Sequence, residues 1–103
     1  MMAFADYDLD GDLDIYVANL LAPAAGKATT ASFHATGHPN VLYRNNGDGT
    51  FSDVSEAVGV TGGISSTTAV VAFDFNNSRD VDLLAMNSDT PPSLFSNLRN
   101  GTF

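Results

Sequence analysis

An all-β repeat fold is what this sequence predicts, and three observations carry the prediction. A seventeen-residue segment, Ala3 to Asn19, returns as Val71 to Asn87 at a shift of 68. A shorter pattern, Asn45-Asn46-Gly47-Asp48-Gly49-Thr50-Phe51, returns as Asn97-Leu98-Arg99-Asn100-Gly101-Thr102-Phe103 at a shift of 52. Between these landmarks the apolar residues fall in short runs of period two, the spacing of strands. Four short strands per repeated unit are the signature of propeller blades, of which a propeller usually holds about 4 to 8. The expected architecture is about two four-stranded antiparallel blades of a β-propeller, a fragment of a larger repeat protein. A self-contained eight-stranded sandwich is the alternative that 103 residues permit. Against it, repeats with exposed ends usually need caps, and none is evident.

The first blade is expected at 1–57, with a truncated first strand. Leu13, Ile15 and Val17 alternate with Asp14, Tyr16 and Ala18, and Val41 and Tyr43 alternate with Leu42 and Arg44. The difference between the two shifts places sixteen extra residues in the first copy, between Asn19 and Asn45. They fall in 20–38, which is rich in Ala, Thr and Gly and has no regular apolar period, so a long surface loop with room for a short helical turn is expected. The second blade is expected at 58–103, with a truncated last strand. Thr67 to Phe73 reads as a strand buried on both faces. The Gly-Asp-Gly and Asn-Gly sequences at 46–49 and 100–101 are residue types that accept positive φ in hairpin turns.

Composition narrows the function. Twelve Asp and Glu against four Lys and Arg give a net charge of −8, and eleven of the twelve acids are Asp. Such a chain is repelled by phosphate backbones and anionic lipid, which argues against nucleic acid and peripheral membrane partners and for cations. The absence of Cys excludes disulfides, thiolate zinc sites and cysteine nucleophiles. The longest apolar run, Ala69 to Phe73, is far below the roughly 20 residues of a membrane helix, so no membrane insertion is expected. No signal peptide is visible at Met1 to Asp6, so any export signal would lie upstream.

The cations have an evident destination. Asp6, Asp8, Asp10, Asp12 and Asp14 place five carboxylates within nine residues. Gly11 lets the chain bend sharply, so the side chains at loop positions 1, 3, 5 and 9 can converge while Asp12 offers its backbone carbonyl. An all-oxygen set of this size suits Ca²⁺ better than Zn²⁺ or Mg²⁺. Carboxylates about 5 Å apart repel by roughly 1 kcal/mol in water-like surroundings and by more when partly buried, so the loop should loosen without a cation. The competing reading is a solvated acidic turn. An EF-hand is excluded twice, because Val17 stands where its bidentate Glu belongs and Leu13 to Val17 has strand periodicity.

These residues resemble the FG-GAP-like or VCBS-type repeats of extracellular β-propellers, including integrin α-chain propellers and cartilage acidic protein-like proteins. The resemblance rests on the Asp6 to Asp14 loop, on Asn40 to Phe51 and on Asp53-Val54, and covers nearly all of the chain outside 20–38. It implies that Ca²⁺ is held between the first two strands of a blade by Asp6, Asp8, Asp10, Asp14 and the carbonyl of Asp12. The Phe-Gly and Gly-Ala-Pro signatures of one branch are missing, which places the chain nearer the VCBS-type branch.

The second loop departs from the pattern. Asp74, Asn76, Ser78, Asp80 and Asp82 keep oxygen at every ligand position, but only Asp74 and Asp82 are charged side-chain ligands, and Arg79 replaces the glycine. A weak or lost second site is expected, with Arg79 supplying in cis the positive charge that Ca²⁺ supplies in the first loop. A non-Gly residue at such a bend costs on the order of 1 kcal/mol.

His34 and His38 have zinc-like spacing, but Gly37 and Pro39 break the helix that zinc would need, which leaves an exposed loop. No catalytic frame appears, and carboxylate pairs for glycoside hydrolysis come from separated segments, so the segment is expected not to be an enzyme. Asn76-Asn77-Ser78 and Asn100-Gly101-Thr102 match the glycosylation acceptor pattern. Phe4, Phe51, Phe73 and Phe95 are expected to pack between blades. The resulting expectation is a calcium-stabilised, structural and adhesive segment, extracellular, cell-surface or periplasmic, that presents blade loops to a protein or glycan ligand. The other possibility is accessory blades of a secreted hydrolase or lyase whose active site lies elsewhere.

Overall fold

A computed structural model describes residues 1–20 and 38–103. The first sheet contains β1 (Met2–Ala5), β2 (Asp14–Val17), β3 (Val41–Asn45) and β4 (Phe51–Asp53). A single helical turn, α1 (Ser55–Val58), follows, and the second sheet contains β5 (Thr67–Phe73), β6 (Asp82–Asn87) and β7 (Ser93–Phe95). Both sheets are antiparallel meanders in chain order, one of four strands and one of three. The fold is all-β, built as propeller blades. Most of the expected insertion, with His34, lies outside the described residues; Leu20 and His38 at its rim are exposed. Among the described residues no helix is long and apolar enough to cross a membrane.

The two repeats have the same register. Ala3, Tyr16 and Leu42 form one cross-strand row of the first sheet, and Val71, Leu84 and Leu94 form its counterpart in the second. Cross-strand partners share a face. Tyr16, Ala18 and Leu42 are buried in one core with Val70, Leu83 and Ala85, so the sheets stack face to face. Tyr16 meets the Phe95 ring edge-on at 6.4 Å between centroids.

Burial bears on three readings. First, the alternation along and beside β2 has Asp14, Tyr16 and Ala18 on its buried side and Leu13 exposed, a direction that the spacing left open. Tyr16 can be inside because its hydroxyl donates to Val60 O at 2.8 Å and accepts from Asn40 Nδ2 at 3.1 Å. Burial pushes its phenol up to about 12. Second, β5 is not buried on both faces: Val70 is inside, but Val71 and Phe73 are 48% and 38% exposed, because only one side of the second sheet meets the first. Third, of the four phenylalanines expected between blades, Phe95 packs between these two sheets, and Phe4, Phe51 and Phe73 are exposed on them.

A polar seam locks the sheets together beside this core. Asn40 Nδ2 also donates to Thr67 Oγ1 at 3.0 Å, Thr67 Oγ1 donates to Asn87 Oδ1, and Thr67 N donates to Asn19 O. At the other end, Asn97 Nδ2 donates to Tyr7 O at 2.8 Å, and the Tyr7 and Phe103 rings lie 5.8 Å apart.

Candidate metal centre

The segment between β1 and β2 folds back on itself and brings Asp6 and Asp8 toward Asp14. Leu9 and Gly11 take left-handed backbone, with φ of 60° and 95°. That curl brings the amides of Asp10 and Gly11 onto the two carboxylate oxygens of Asp6, at 3.0 and 2.9 Å. Asp14, buried at the start of β2, accepts from Tyr7 N at 3.0 Å and from Asn45 N at 2.8 Å. The loop is thus tied to the hairpin of its own blade. Asn45 was not expected to hold the site, although its recurrence as Asn97 was a signal for it.

Three carboxylates converge. One oxygen from each of Asp6, Asp8 and Asp14 lies within 4.8 Å of the others. Asp8 Oδ1 is shielded from solvent and accepts no hydrogen bond. A buried anionic oxygen without a donor is unfavourable unless a positive charge reaches it. Burial, and then the neighbouring Asp10, push the Asp8 carboxyl above its ordinary range. Burial also raises the Asp14 carboxyl, against the lowering effect of its two amide donors. An all-oxygen cluster with an orphaned carboxylate oxygen fits a hard divalent cation such as Ca²⁺.

Asp10 is placed differently from the expectation, while the Asp12 side chain points elsewhere, as a residue expected to offer only its carbonyl can. Asp10 lies outside the converging set, and its Oδ1 accepts from Asp12 N at 2.9 Å. Asp12 turns its carboxylate toward the hairpin, where a Cβ on Gly47 would come within 2.8 Å of its Oδ2. A cleft of about 290 Å³, lined in part by Tyr7, Asp8, Leu9 and Arg99, opens beside the cluster.

The second loop repeats the backbone without the charge. Asn77 and Arg79 hold φ of 60° and 70°, Asp74 accepts from the amides of Ser78 and Arg79, and Asp82 accepts from those of Phe75 and Asn97. Asn76 and Ser78 replace two carboxylates, and the second loop contributes no acidic trio to the described residues. Backbone hydrogen bonds, that of Arg79 first, hold the Asp74 carboxyl below its ordinary range, opposite in direction to Asp8. Ser78 Oγ is shielded and unpartnered.

The expected role of Arg79 is not seen, because the ion pair of this loop is made by Arg99. Its Nε donates to Asp80 Oδ1, with Arg99 58% exposed and the Asp80 side chain 2% exposed. Arg99 reaches Asp80 because it occupies, in the second hairpin, the place of Gly47 in the first. The Arg79 amide, not its guanidinium, serves the loop.

Comparison with known proteins agrees with this architecture. Residues 28–85 match the FG-GAP-like repeat. The match begins after the first acidic loop, so it does not rest on Asp6 to Asp14, and it takes in the second loop, Asp74 to Asp82. The chain is similar to Cartilage acidic protein 1 of Xenopus tropicalis, with 39% identity over 57 residues, 55% of this chain and 9% of the relative. It therefore spans a small part of that relative's length. No solved structure matches the chain significantly.

Proposed function

The chain belongs to the FG-GAP-like repeat family, and from that premise we propose that it is a calcium-stabilised pair of propeller blades with a structural and adhesive role. The observation that carries this reading is the convergence of Asp6, Asp8 and Asp14 within 4.8 Å, with one oxygen of Asp8 shielded and without a donor. Asp6, Asp8 and Asp14 would hold the ion, and the ion would supply charge neutralisation that the folded loop lacks. Calcium is then scaffold, not reagent, because the carboxylates belong to one tight loop tied to β2 and the hairpin.

The ion would fix the loop between β1 and β2, and with it the end of the blade that offers loops to a protein or glycan partner. An extracellular setting fits the acidic surface and the millimolar Ca²⁺ found there. A relative whose name places it in cartilage supports the same setting.

Thermal unfolding in Ca²⁺ and in chelator tests the reading. Ca²⁺ at a hundredfold excess over its dissociation constant adds about 2.7 kcal/mol by linkage. For a chain of this length that raises the melting temperature by roughly 10 °C or more, since 1 kcal/mol is worth about 4–8 °C. Mg²⁺ at the same concentration is expected to do less, because it demands stricter octahedral geometry. Equal melting temperatures in Ca²⁺ and chelator would defeat the proposal.

A further inference from the structure

Among the asparagines of this chain, Asn46 and Asn100 alone are followed by glycine. In that pairing the backbone amide of the second residue can reach the side-chain carboxamide of the first with no Cβ in the way. The fold treats the two pairs differently. Asn46 enters the first hairpin turn with its carboxamide clamped: Nδ2 donates to Thr50 Oγ1 and Ser52 Oγ, both at 3.0 Å, and Oδ1 accepts from Ser52 and Arg44. The Gly47 amide is committed to Asn45 Oδ1 at 3.0 Å, and the Asp12 carboxylate stands 2.8 Å from the place of a Gly47 Cβ.

Asn100 leaves the second hairpin turn in the opposite state. Its Oδ1 accepts from Thr102 N at 3.1 Å and from Thr102 Oγ1 at 2.6 Å. Neither its Nδ2 nor the Gly101 amide has a hydrogen-bond partner among the described residues. A Cβ on Gly101, at φ +83°, would meet nothing within 4 Å, so the space beside that amide is open. Asn100 and Gly101 are both exposed. This exposure belongs to the turn itself, because Asp48, the equivalent of Asn100 in the first hairpin, is exposed in the same way.

We infer that Asn100 is a site of spontaneous deamidation in the folded chain, with water as the co-reactant, and that the fold protects Asn46. Gly101 N attacks Asn100 Cγ and loses its proton as the new N–C bond forms. The Cγ–Nδ2 bond breaks, and Nδ2 takes up that proton and leaves as ammonia. Water then opens the resulting succinimide ring at one of its two carbonyls, which gives aspartate or isoaspartate, with no oxidant or reductant required. Negative charge develops on Asn100 Oδ1 during the attack, and the two Thr102 donors already point at that atom. At Asn46 the same step would first have to release Nδ2 and the Gly47 amide, and would build its charge near the Asp12 carboxylate.

The fold also accommodates the product. Asp48 Oδ1 accepts from the hydroxyl and the amide of Thr50, just as Asn100 Oδ1 accepts from Thr102, and these bonds, the hydroxyl first, hold the Asp48 carboxyl below its ordinary range. Conversion to aspartate therefore turns Asn100-Gly101-Thr102-Phe103 into the Asp48-Gly49-Thr50-Phe51 of the first hairpin and adds one negative charge to the net −8.

The test is incubation of the full chain, with Asn100 unmodified, in Ca²⁺ and a mildly alkaline buffer made with isotopically labelled water, followed by mass-spectrometric peptide mapping over time. The peptide containing Asn100 is expected to lose ammonia and gain one labelled oxygen. The peptide containing Asn46 is expected to convert at least about tenfold more slowly, the rate equivalent of one hydrogen bond that must be broken. In guanidinium chloride, which dissolves both arrangements, the two are expected to convert at similar rates. Thr102→Val, which removes the hydroxyl donor and keeps the branched shape, is expected to slow Asn100 about tenfold in the folded chain and to leave its rate in guanidinium unchanged. Equal conversion of Asn46 and Asn100 in the folded chain would overturn the inference. So would an Asn100 that stays intact in the folded chain over the time in which it is lost in guanidinium, or a folded Thr102→Val chain that converts as fast as the wild type.

Discussion

Asp14 and Asp82 occupy the same place in the two repeats and hold the same pair of amides: each accepts one from its own acidic loop and one from the following hairpin. Both are buried. The carboxylate is therefore a structural tie in either blade, whether or not an ion sits beside it. Asp82→Ala is expected to destabilise the chain by about 2–4 kcal/mol, because two shielded amides lose a charged acceptor. Urea unfolding measures this, and the loss should be as large in chelator as in Ca²⁺.

Arg99 and Asp80 form the ion pair that replaces the open arrangement of Gly47 and Asp12. Arg99→Ala leaves a carboxylate that is 2% exposed without its cation. A loss of about 1–2 kcal/mol is expected, held down by the exposure of the guanidinium. In an Asp80→Asn background the same substitution should have little effect. Arg79→Ala, whose guanidinium makes no ion pair among the described residues, is expected to leave stability nearly unchanged. A double-mutant cycle separates these outcomes.

Gly47 is constrained by conformation and by space. Its φ is +75°, and an added Cβ would approach Asp12 Oδ2 to 2.8 Å, whereas one on Gly49, at φ +88°, would meet nothing within 4 Å. Both alanine variants carry the left-handed penalty of roughly 1–2 kcal/mol. Only Gly47→Ala must also displace the Asp12 carboxylate, so it should be the less stable of the two in paired denaturation curves.

Acid should weaken the connection from β4 into α1. Asp53 accepts from the hydroxyl and the amide of Ser55, and these bonds hold its carboxyl below the ordinary value of 3.8. A depressed folded value means that the stabilisation is present above the unfolded value and disappears as pH falls through the folded one. The stability gap between wild type and Asp53→Asn should be open at pH 7 and close below an ordinary carboxylate pKa, as followed by urea unfolding across that range.

The repeat, the strand spacing, the hairpin turns and the acidic loop were legible in the sequence because each is a local pattern. The direction of β2 was not. Alternation shows that two faces differ, but the buried face is the one carrying Asp14 and Tyr16, whose polar atoms are satisfied by Tyr7, Asn45, Asn40 and Val60. Those partners become visible only when the chain is folded. The cation of the second loop was misassigned to Arg79 for the same reason, since Arg99 lies 19 residues from Asp80. The signal was present in the two shifts, which align Arg99 with Gly47 and Asp80 with Asp12. The loop geometry itself was foreseen: Arg79 does sit at the left-handed bend that Gly11 occupies in the first copy.

The central claim is that Asp6, Asp8 and Asp14 form one calcium site, completed by the orphaned oxygen of Asp8. A calorimetric Ca²⁺ titration of the wild type beside Asp8→Asn, which gives the first loop the residue found at Asn76, tests it most directly. The account predicts one equivalent bound by the wild type and at least about tenfold weaker binding by the variant, in line with the loss of one charged ligand. No heat of binding from a wild type whose circular dichroism shows folded β structure, or equal affinity in the two chains, would contradict it.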